Sequence, residues 1–537
     1  MDEYAPATES SQLLIGVQSQ GLDPGTDEGV LRNRCITVDE AIETIVFVWD
    51  FIAGFGKFQL GMLAYTGLVW LADAAEMILL SFIGPAAKCE WGLSSSEEGA
   101  ISSVVFAGIF LGAYAWGIVS DIHGRRLGFI ATALFTFFFG MLSAWSPDYW
   151  FLLASRAFVG FGLGGAPVVF SLCMEFLPAS SRGFWLVFME VFWTVGSIAE
   201  ALLAWLILPT YNWRLLVMVS ALPFLLLLVF YPALPESPRY LMVKGDKQGA
   251  WKVLEQVARV NGAALPSGSL IPSQSSQRVP NSLDQLPLRS PGLNGNADGE
   301  EIKQPQPEKA GVVKTLMLLF SPELRVTTLL SWSFFFANYF TYYGLVLLTT
   351  QLAVKSQTEL HGFSDSTADS CLPDGKSGMD ISTYKSVLIT CFAELPGLIV
   401  ACLIVERLGR KASLGLLLFG CGICMIPLWT LQTETVTLIL MFGARSCIMG
   451  AFSILWAFAP ELYPTKVRST GLGFCNSGGR LGGFLCPFVA VGLVESGYRV
   501  VAVSLFALVP LLTSIATFLF PVETQGQRLA DDIQLRK

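Results

Sequence analysis

The sequence predicts an all-α membrane protein of twelve transmembrane helices in two six-helix halves, and three observations carry that reading. Of 537 residues, 53% are hydrophobic and only 14% charged, and the mean hydropathy is strongly positive, whereas a soluble domain carries roughly a quarter charged residues. Apolar runs near bilayer length, roughly 20 residues, recur along the chain, where a soluble core would show runs of about 4 to 14. They are arranged as six, a long polar gap, then six.

The elements follow in order. Residues 1–61 read as a cytoplasmic tail; Met1 to Arg34 is polar and lacks the basic start and apolar core of a cleaved signal peptide, so the first span is expected to remain as an anchor. Within that tail, Thr44 to Phe55 is apolar but too short to cross and contains Asp50, which fits an interfacial helix better than a thirteenth crossing. The first half occupies 62–235, with spans beginning near Met62, Gly99, Leu127, Trp150, Gly183 and Arg214. The linker, 236–324, has a middle (Asn261 to Ala310) rich in Ser, Pro, Gln, Asn and Gly without periodicity, and that stretch is expected to be disordered. The second half occupies 325–521, with spans beginning near Arg325, Ser382, Ala412, Thr435, Thr470 and Arg499, and 522–537 is a cytoplasmic tail. Arg125, Arg126, Arg182, Arg407, Arg410, Lys411, Lys466 and Arg468 crowd the even-numbered turns, while the odd-numbered turns are sparser in Lys and Arg. That density places both termini and the linker in the cytoplasm.

Several function classes are excluded. The net charge is −8 and no basic patch is present, so nucleic acid is not expected as a partner. With only His123 and His361, a His-rich metal site or a Ser-His-Asp triad has little to work with; neither an enzyme, a metal nor a cofactor is expected. Cys173, Cys391, Cys402, Cys421, Cys424, Cys447, Cys475 and Cys486 fall in or beside apolar spans and read as small hydrophobes. Cys89 and Cys371 stand in predicted external loops, an oxidising setting in which a disulfide between them can form. The runs GFGLGG (Gly160 to Gly165) and GGRLGG (Gly478 to Gly483) lie inside spans, so they read as close helix packing and not as nucleotide loops.

The chain also repeats itself. GIVSDIHGRR (Gly117 to Arg126) follows the second span and ERLGRK (Glu406 to Lys411) the eighth, aligning Glu406 with Asp121 at an offset of 285. EFLPASSR (Glu175 to Arg182) follows the fourth span and ELYPTKVR (Glu461 to Arg468) the tenth, at an offset of 286. Two motifs returning at nearly one offset mark the halves as structural repeats.

These motifs resemble the major facilitator superfamily, whose cytoplasmic Gly-x-x-x-Asp-x-x-Gly-Arg-Arg element recurs in both halves. The resemblance extends from Gly54 to Gly526 and includes PESPRY (Pro235 to Tyr240) and PVETQG (Pro521 to Gly526). Within the superfamily, FGKFQ (Phe55 to Gln59), WLADAAEM (Trp70 to Met77), EVFW (Glu190 to Trp193), YYGLVLLTTQL (Tyr342 to Leu352) and ELPG (Glu394 to Gly397) resemble the SVOP and SVOP-like branch. Those proteins are related to the synaptic vesicle glycoproteins and the organic-ion transporters. The resemblance implies the major facilitator fold and a monomeric secondary transporter of a small organic ion in the lipid bilayer of the plasma membrane or a secretory or synaptic vesicle. A receptor or scaffold that has kept the fold is the alternative.

Charges at bilayer depth cost on the order of 3 kcal/mol and mark pathways or polar pairs. Spans one, four, five, eight, ten and eleven hold Asp73, Glu76, Arg156, Glu190, Glu200, Glu394, Arg445 and Arg480, while spans three, six, nine and twelve hold none away from their ends. In the resembled fold those four are peripheral, which fits a central aqueous cavity. Counting residues puts Asp73 roughly 18 Å above the cytoplasmic end of span one and Arg156 roughly 9 Å below the external end of span four. Asp73, or Glu76 as second choice, is therefore expected to pair with Arg156. Separating such a pair could couple conformational change to uptake of H+, as an Asp and Arg at similar positions do in related proton-coupled sugar porters; a static pair that fixes helix packing is the other reading. Arg480 and Glu394 also come to mid-membrane and could meet. In the organic-ion transporters the eleventh-span position resembles Arg in carriers of anions, so Arg480 favours a carboxylate-bearing substrate by bidentate pairing; an organic cation is the alternative. Tyr339 and Tyr342, with Trp70, Phe192, Trp193, Phe336, Tyr343 and Trp456, are expected on cavity helices, where they could stack on a flat solute. At the cytoplasmic edge, Gly117, Asp121, Gly124, Arg125, Arg126, Glu175 and Arg182, repeated as Glu406, Gly409, Arg410, Glu461 and Arg468, are expected to form charge networks that gate the inner side, with plain topology-setting charges as the alternative.

Overall fold

The structure is a computed structural model that describes residues 35–46, 56–178, 182–266, 268–271, 317–360, 381–430, 432–463 and 467–524. After β1 (Cys35–Ile36) and α1 (Val38–Val46), the first half is built from α2 (Lys57–Trp91), α3 (Ser95–His123), α4 (Arg125–Ala144), α5 (Tyr149–Leu163), α6 (Ala166–Phe176), α7 (Arg182–Ile207) and α8 (Trp213–Phe230). Then come α9 (Pro238–Lys244), α10 (Lys247–Asn261) and β2 (Ser269–Leu270). The second half comprises α11 (Arg325–Leu360), α12 (Ile381–Phe392), α13 (Glu394–Leu408), α14 (Arg410–Met425), α15 (Glu434–Leu462), α16 (Arg468–Pro487), a π-helical segment (Phe488–Leu493) and α17 (Arg499–Ala516). Together α5 and α6 make span four, and α12 and α13 make span eight.

Each span begins within five residues of its expected start, as at Lys57 against Met62 and Ser95 against Gly99. The starts are chemically determined. Ser94 and Glu97 close a capping box on α3, and Asp148 and Thr433 cap α5 and α15, satisfying amides that have no partner inside their helices. Among the described residues, ten segments are long and apolar enough to cross a membrane. The seventh and eleventh crossings, α11 and α16, are more polar: α11 buries Thr327, Ser331, Asn338, Thr341 and Thr349, and α16 carries Asn476, Arg480 and a run of glycines. These two helices share the most extensive helix contact in the fold, which keeps their polar groups against protein and out of lipid.

Among the ten apolar spans α2 is the most buried, and α7, α8 and α17 are the least. Leu134 and Phe138 on α4, Leu226 and Val229 on α8, Leu416 and Phe419 on α14, and Leu508 and Leu512 on α17 are exposed, as lipid-facing surfaces of spans three, six, nine and twelve should be.

One segment differs from expectation. The linker's first third is folded: α10 buries Ala250, Leu254, Val257, Ala258 and Asn261 along one face, a helical stripe. The disordered stretch expected from Asn261 therefore begins too early; structure continues through Leu270, and residues 272–316 lie outside the described residues. A helix covers Val38–Val46; of the expected interfacial segment Thr44 to Phe55, residues 47–55 lie outside the described residues. The helix packs on α10 with Ala41, Ile42, Ile45 and Val46 buried, while β1 pairs in parallel with β2 and Arg239 pairs with Asp39. Its apolar face is thus covered by the linker.

Candidate substrate cavity and gates

The ionisable side chains at bilayer depth sort into two kinds. The first kind is fully buried and paired. Arg156 of α5 donates from Nη1 to Glu76 Oε2 at 2.7 Å, with side-chain exposures of 0% and 1%. This corrects the first-choice pairing of Arg156 with Asp73: three residues along α2 move a side chain about 4.5 Å in height and some 60° in azimuth, and Arg156 lies on the Glu76 side. In the second half, Glu394 Oε1 accepts from Arg445 Nε at 3.2 Å, from Arg445 Nη2 at 2.8 Å and from Tyr342 Oη at 2.7 Å. Span eight packs on span ten, so Glu394 meets Arg445 and not Arg480, against expectation. Glu200 is likewise committed, with the Ser220 hydroxyl 2.9 Å from its carboxylate oxygens.

The second kind keeps slight exposure and few partners. Asp73 is 7% exposed and makes no hydrogen bond among the described residues; it faces a small cavity lined by Val69, Thr132, Thr136, Gly165 and Phe224, close enough to Arg480 and Glu76 for their charges to act on it. Glu190, 5% exposed, accepts from Trp70 Nε1 at 3.5 Å. Arg480 is half-buried, and its guanidinium lies 5.1 Å from the Tyr339 ring centroid. Its Nε is buried without a hydrogen bond, and it forms no ion pair among the described residues. The Tyr339 hydroxyl donates to Asn476 Oδ1 at 2.9 Å, fixing the ring beneath the cation.

Aromatic side chains link the halves around these groups. Trp193 Nε1 donates to Tyr342 Oη at 2.8 Å, from the fifth span to the seventh. Trp70 lies 5.9 Å from Trp193 and 6.0 Å from Phe170, and Phe170 lies 6.0 Å from Trp456. Tyr343 packs on Tyr339 and Tyr342. Phe192 covers Gly67, and Phe336 stacks in a ladder with Trp332 and Phe340. A wall of this kind, offering one cation without an ion pair, two slightly exposed carboxyls (Asp73 and Glu190) and several ring faces, can orient a small flat ion.

At the end carrying the repeated motifs, here termed the motif end, the two halves use one device twice. Arg125 Nε lies 3.6 Å from Glu175 Oε1, and the backbone amides of Arg125 and Arg126 donate to Glu236 at the start of α4. In the second half, Arg410 Nε lies 3.5 Å from Glu461 Oε2, and the amides of Arg410 and Lys411 donate to Glu523 at the start of α14. Gly124 and Gly409 precede these helices with φ of +113° and +85°, values that L side chains avoid. Sequence reasoning missed Glu236 and Glu523 as capping groups; their signal was a glutamate one or two residues after a proline in PESPRY and PVETQG, after spans six and twelve. It also left Arg445 without a role. Gly117 faces open space, Arg126 stacks over Tyr231, and the side chains of Asp121, Arg182, Glu406 and Arg468 lie outside the described residues. Cys89 is disulfide-bonded; Cys371 lies outside the described residues. Among the described residues no His, Cys, Asp and Glu cluster could hold a metal ion.

Comparison with known proteins adds to this geometry. The sequence family described as "Sugar (and other) transporter" matches residues 43–282 and 377–532. A protein of Arabidopsis thaliana named organic cation/carnitine transporter 7 is 46% identical over 512 residues, covering 94% of this chain and 98% of that protein. The synaptic vesicle 2-related protein of Xenopus laevis is 35% identical over 501 residues, covering 92% of this chain and 82% of that protein. Among solved structures, the partially occluded inward-open xylose transporter XylE of E. coli superposes with a TM-score of 0.64 at 17% identity, covering 88% of this chain and all of that one, a likeness of fold.

Proposed function

Because this chain belongs to the sugar (and other) transporter family of the major facilitator superfamily, and is thus a multi-pass membrane transporter and not an enzyme, we propose that it carries a carboxylate-bearing organic ion by alternating access. The observation that carries this reading is Arg480. Arg156 and Arg445 are each neutralised by a glutamate, whereas Arg480 stacks on Tyr339 with no ion pair among the described residues. A guanidinium without an ion pair at this depth is costly, and a solute carboxylate in contact with it would supply a closer counter-charge than Asp73 does. Asp73 is the carboxyl left to exchange a proton with solution, since Glu76 is held by Arg156, and on this reading it couples uptake to H+. The termini and linker are cytoplasmic, so the motif end faces inward.

A second reading, an organic cation, is favoured by Glu190 among Trp70, Trp193 and Phe170 and agrees with the name of the Arabidopsis relative. Uptake into proteoliposomes of a panel of aromatic and aliphatic carboxylates and quaternary ammonium compounds separates the two. Loss of a charge-assisted pair of about 1.5–3 kcal/mol should lower carboxylate uptake by roughly tenfold or more in Arg480→Ala, with Arg480→Lys retaining part of it. Carboxylate uptake that survives Arg480→Ala would remove Arg480 from substrate binding, whereas ammonium uptake lost in Glu190→Gln, with no carboxylate taken up, would transfer the case to the cation.

A further inference from the structure

At the end opposite the motifs, termed here the far end, a second set of charges joins the two halves, and neither the cavity nor the gates use it. Glu98 of α3 is 2% exposed, and its Oε1 accepts from Gln351 Nε2 of α11 at 2.9 Å. Its Oε2 lies 3.3 Å from Lys88 Nζ of α2 and has no hydrogen-bond partner. Lys88 also pairs with Glu495, which follows the π-helical segment of the second half, and Glu495 accepts from the Ser95 hydroxyl. The carboxyls of Glu98 and Glu495 thus meet at one ammonium, that of Lys88. Lys88, Ser95 and Glu98 belong to the first half; Gln351 and Glu495 belong to the second. Gly84 makes the room, since a Cβ there would come within 3.2 Å of Glu98 Cγ.

The charges do not balance. Two carboxylates share one ammonium in a largely enclosed site, leaving one negative charge too many, and two carboxylates held on one ammonium disfavour each other's ionisation. Glu495 is pushed up by burial, but hydrogen bonds from Lys88 and Ser95 outweigh that and hold it below the usual range; Glu98, more deeply buried and meeting the ammonium only at 3.3 Å, is the less well compensated of the two. Other ionisable groups nearby are engaged elsewhere: Glu97 caps Ser94, Glu90 is held by Arg214 and Trp213, and the Tyr149 hydroxyl donates to the Glu97 carbonyl.

We propose that Glu98, Glu495 and Lys88 form a proton-binding latch across the far mouth: one proton, taken from the solution at that end and shared between the two carboxyls, holds the halves together. Its release leaves a net negative charge between them and lets the mouth part. The latch rests on the alternating-access reading above. It is separate from Asp73 and Arg480, and it makes the proton concentration at the far end a control on which face is open.

The test uses the full-length protein in lipid nanodiscs, with spin labels at Trp145→Cys and Tyr498→Cys, exposed positions on far-end turns of the two halves, in a Cys402→Ser background. Pulsed dipolar spectroscopy between pH 5.5 and 8.5 should show short and long inter-label populations. The long-to-short ratio should rise with pH by up to about tenfold per unit, the limit for one proton. Glu98→Gln should hold the short population at every pH, and Glu495→Gln, nearer the surface and less exposed to misfolding, should remove the pH dependence as well; both are checked for monodispersity. Two populations whose ratio ignores pH, or monodisperse Glu98→Gln and Glu495→Gln proteins that follow the unsubstituted curve, overturn the latch alone. A single population under all conditions overturns alternating access and the latch with it.

Discussion

At the scale of single residues, the paired arginines and Arg480 are expected to respond differently to substitution. Glu394 and Arg445 are buried with partial hydrogen bonding, leaving Arg445 Nη1 and Glu394 Oε2 unmatched. Removing one partner strands the other charge, so Glu394→Gln and Arg445→Met should each cost about 3–5 kcal/mol. Combining Arg445→Met with Glu394→Leu should cost less than either single change, read as melting temperature in detergent. Arg480→Ala breaks no ion pair and leaves only the nearby Asp73 less compensated, so it should lower that temperature less than either paired change while cutting carboxylate uptake by roughly tenfold or more. The sequence made the intramembrane charges legible as a set, because each stands out in an apolar span. It did not make their pairing legible: residue counting fixes height but not azimuth, which is how Asp73 was preferred to Glu76 and Arg480 to Arg445.

At the scale of elements, α4 and α14 start on carboxylates far away in sequence. Glu236 receives the amides of Arg125 and Arg126, and Glu523 those of Arg410 and Lys411. Such caps satisfy orphan donors and favour a negative charge at the positive helix end, so Glu236→Ala and Glu523→Ala should each lower stability by about 1–2 kcal/mol. Gly124→Ala should do at least as much damage, because its φ is +113° and a Cβ would sit 2.3 Å from Glu236 Oε2. Helix contacts give a sharper contrast. A Cβ on Gly160 would meet the Val105 carbonyl oxygen at 2.1 Å, whereas one on Gly117 meets nothing within 4 Å. Gly160→Val should therefore prevent recovery of folded protein, and Gly117→Ala should stay within about 0.5 kcal/mol of the unsubstituted protein; yield and melting temperature check both. Span positions were legible because hydropathy and caps agree. The helix α10 was not, because its short apolar stripe borders a Ser- and Pro-rich stretch that dominated the composition.

At the scale of the whole molecule, the duplication read from two motifs reappears as a mechanical repeat: one arginine–glutamate pair inside each half, one capped helix start in each half, and an aromatic seam between them. Inter-half contacts such as Trp193 to Tyr342 and Gln351 to Glu98 join residues more than 100 positions apart, which is why the seam could not be read from the sequence. The pairing of β1 with β2, and of α1 with α10, has a consequence for this plan. It moors both the N-terminal strand and the outgoing linker, through Ile271, beneath the first six helices. A chain of the length of residues 272–316 can reach at most on the order of 150 Å, several times the displacement that rocking requires, so the length of this connection does not limit the motion. Cutting the chain within it and co-expressing the two fragments should give pieces that co-purify and transport, whereas a cut before β2 should loosen the moored strand; fragments that fail to associate would mean that the tether, and not the seam, keeps the molecule whole.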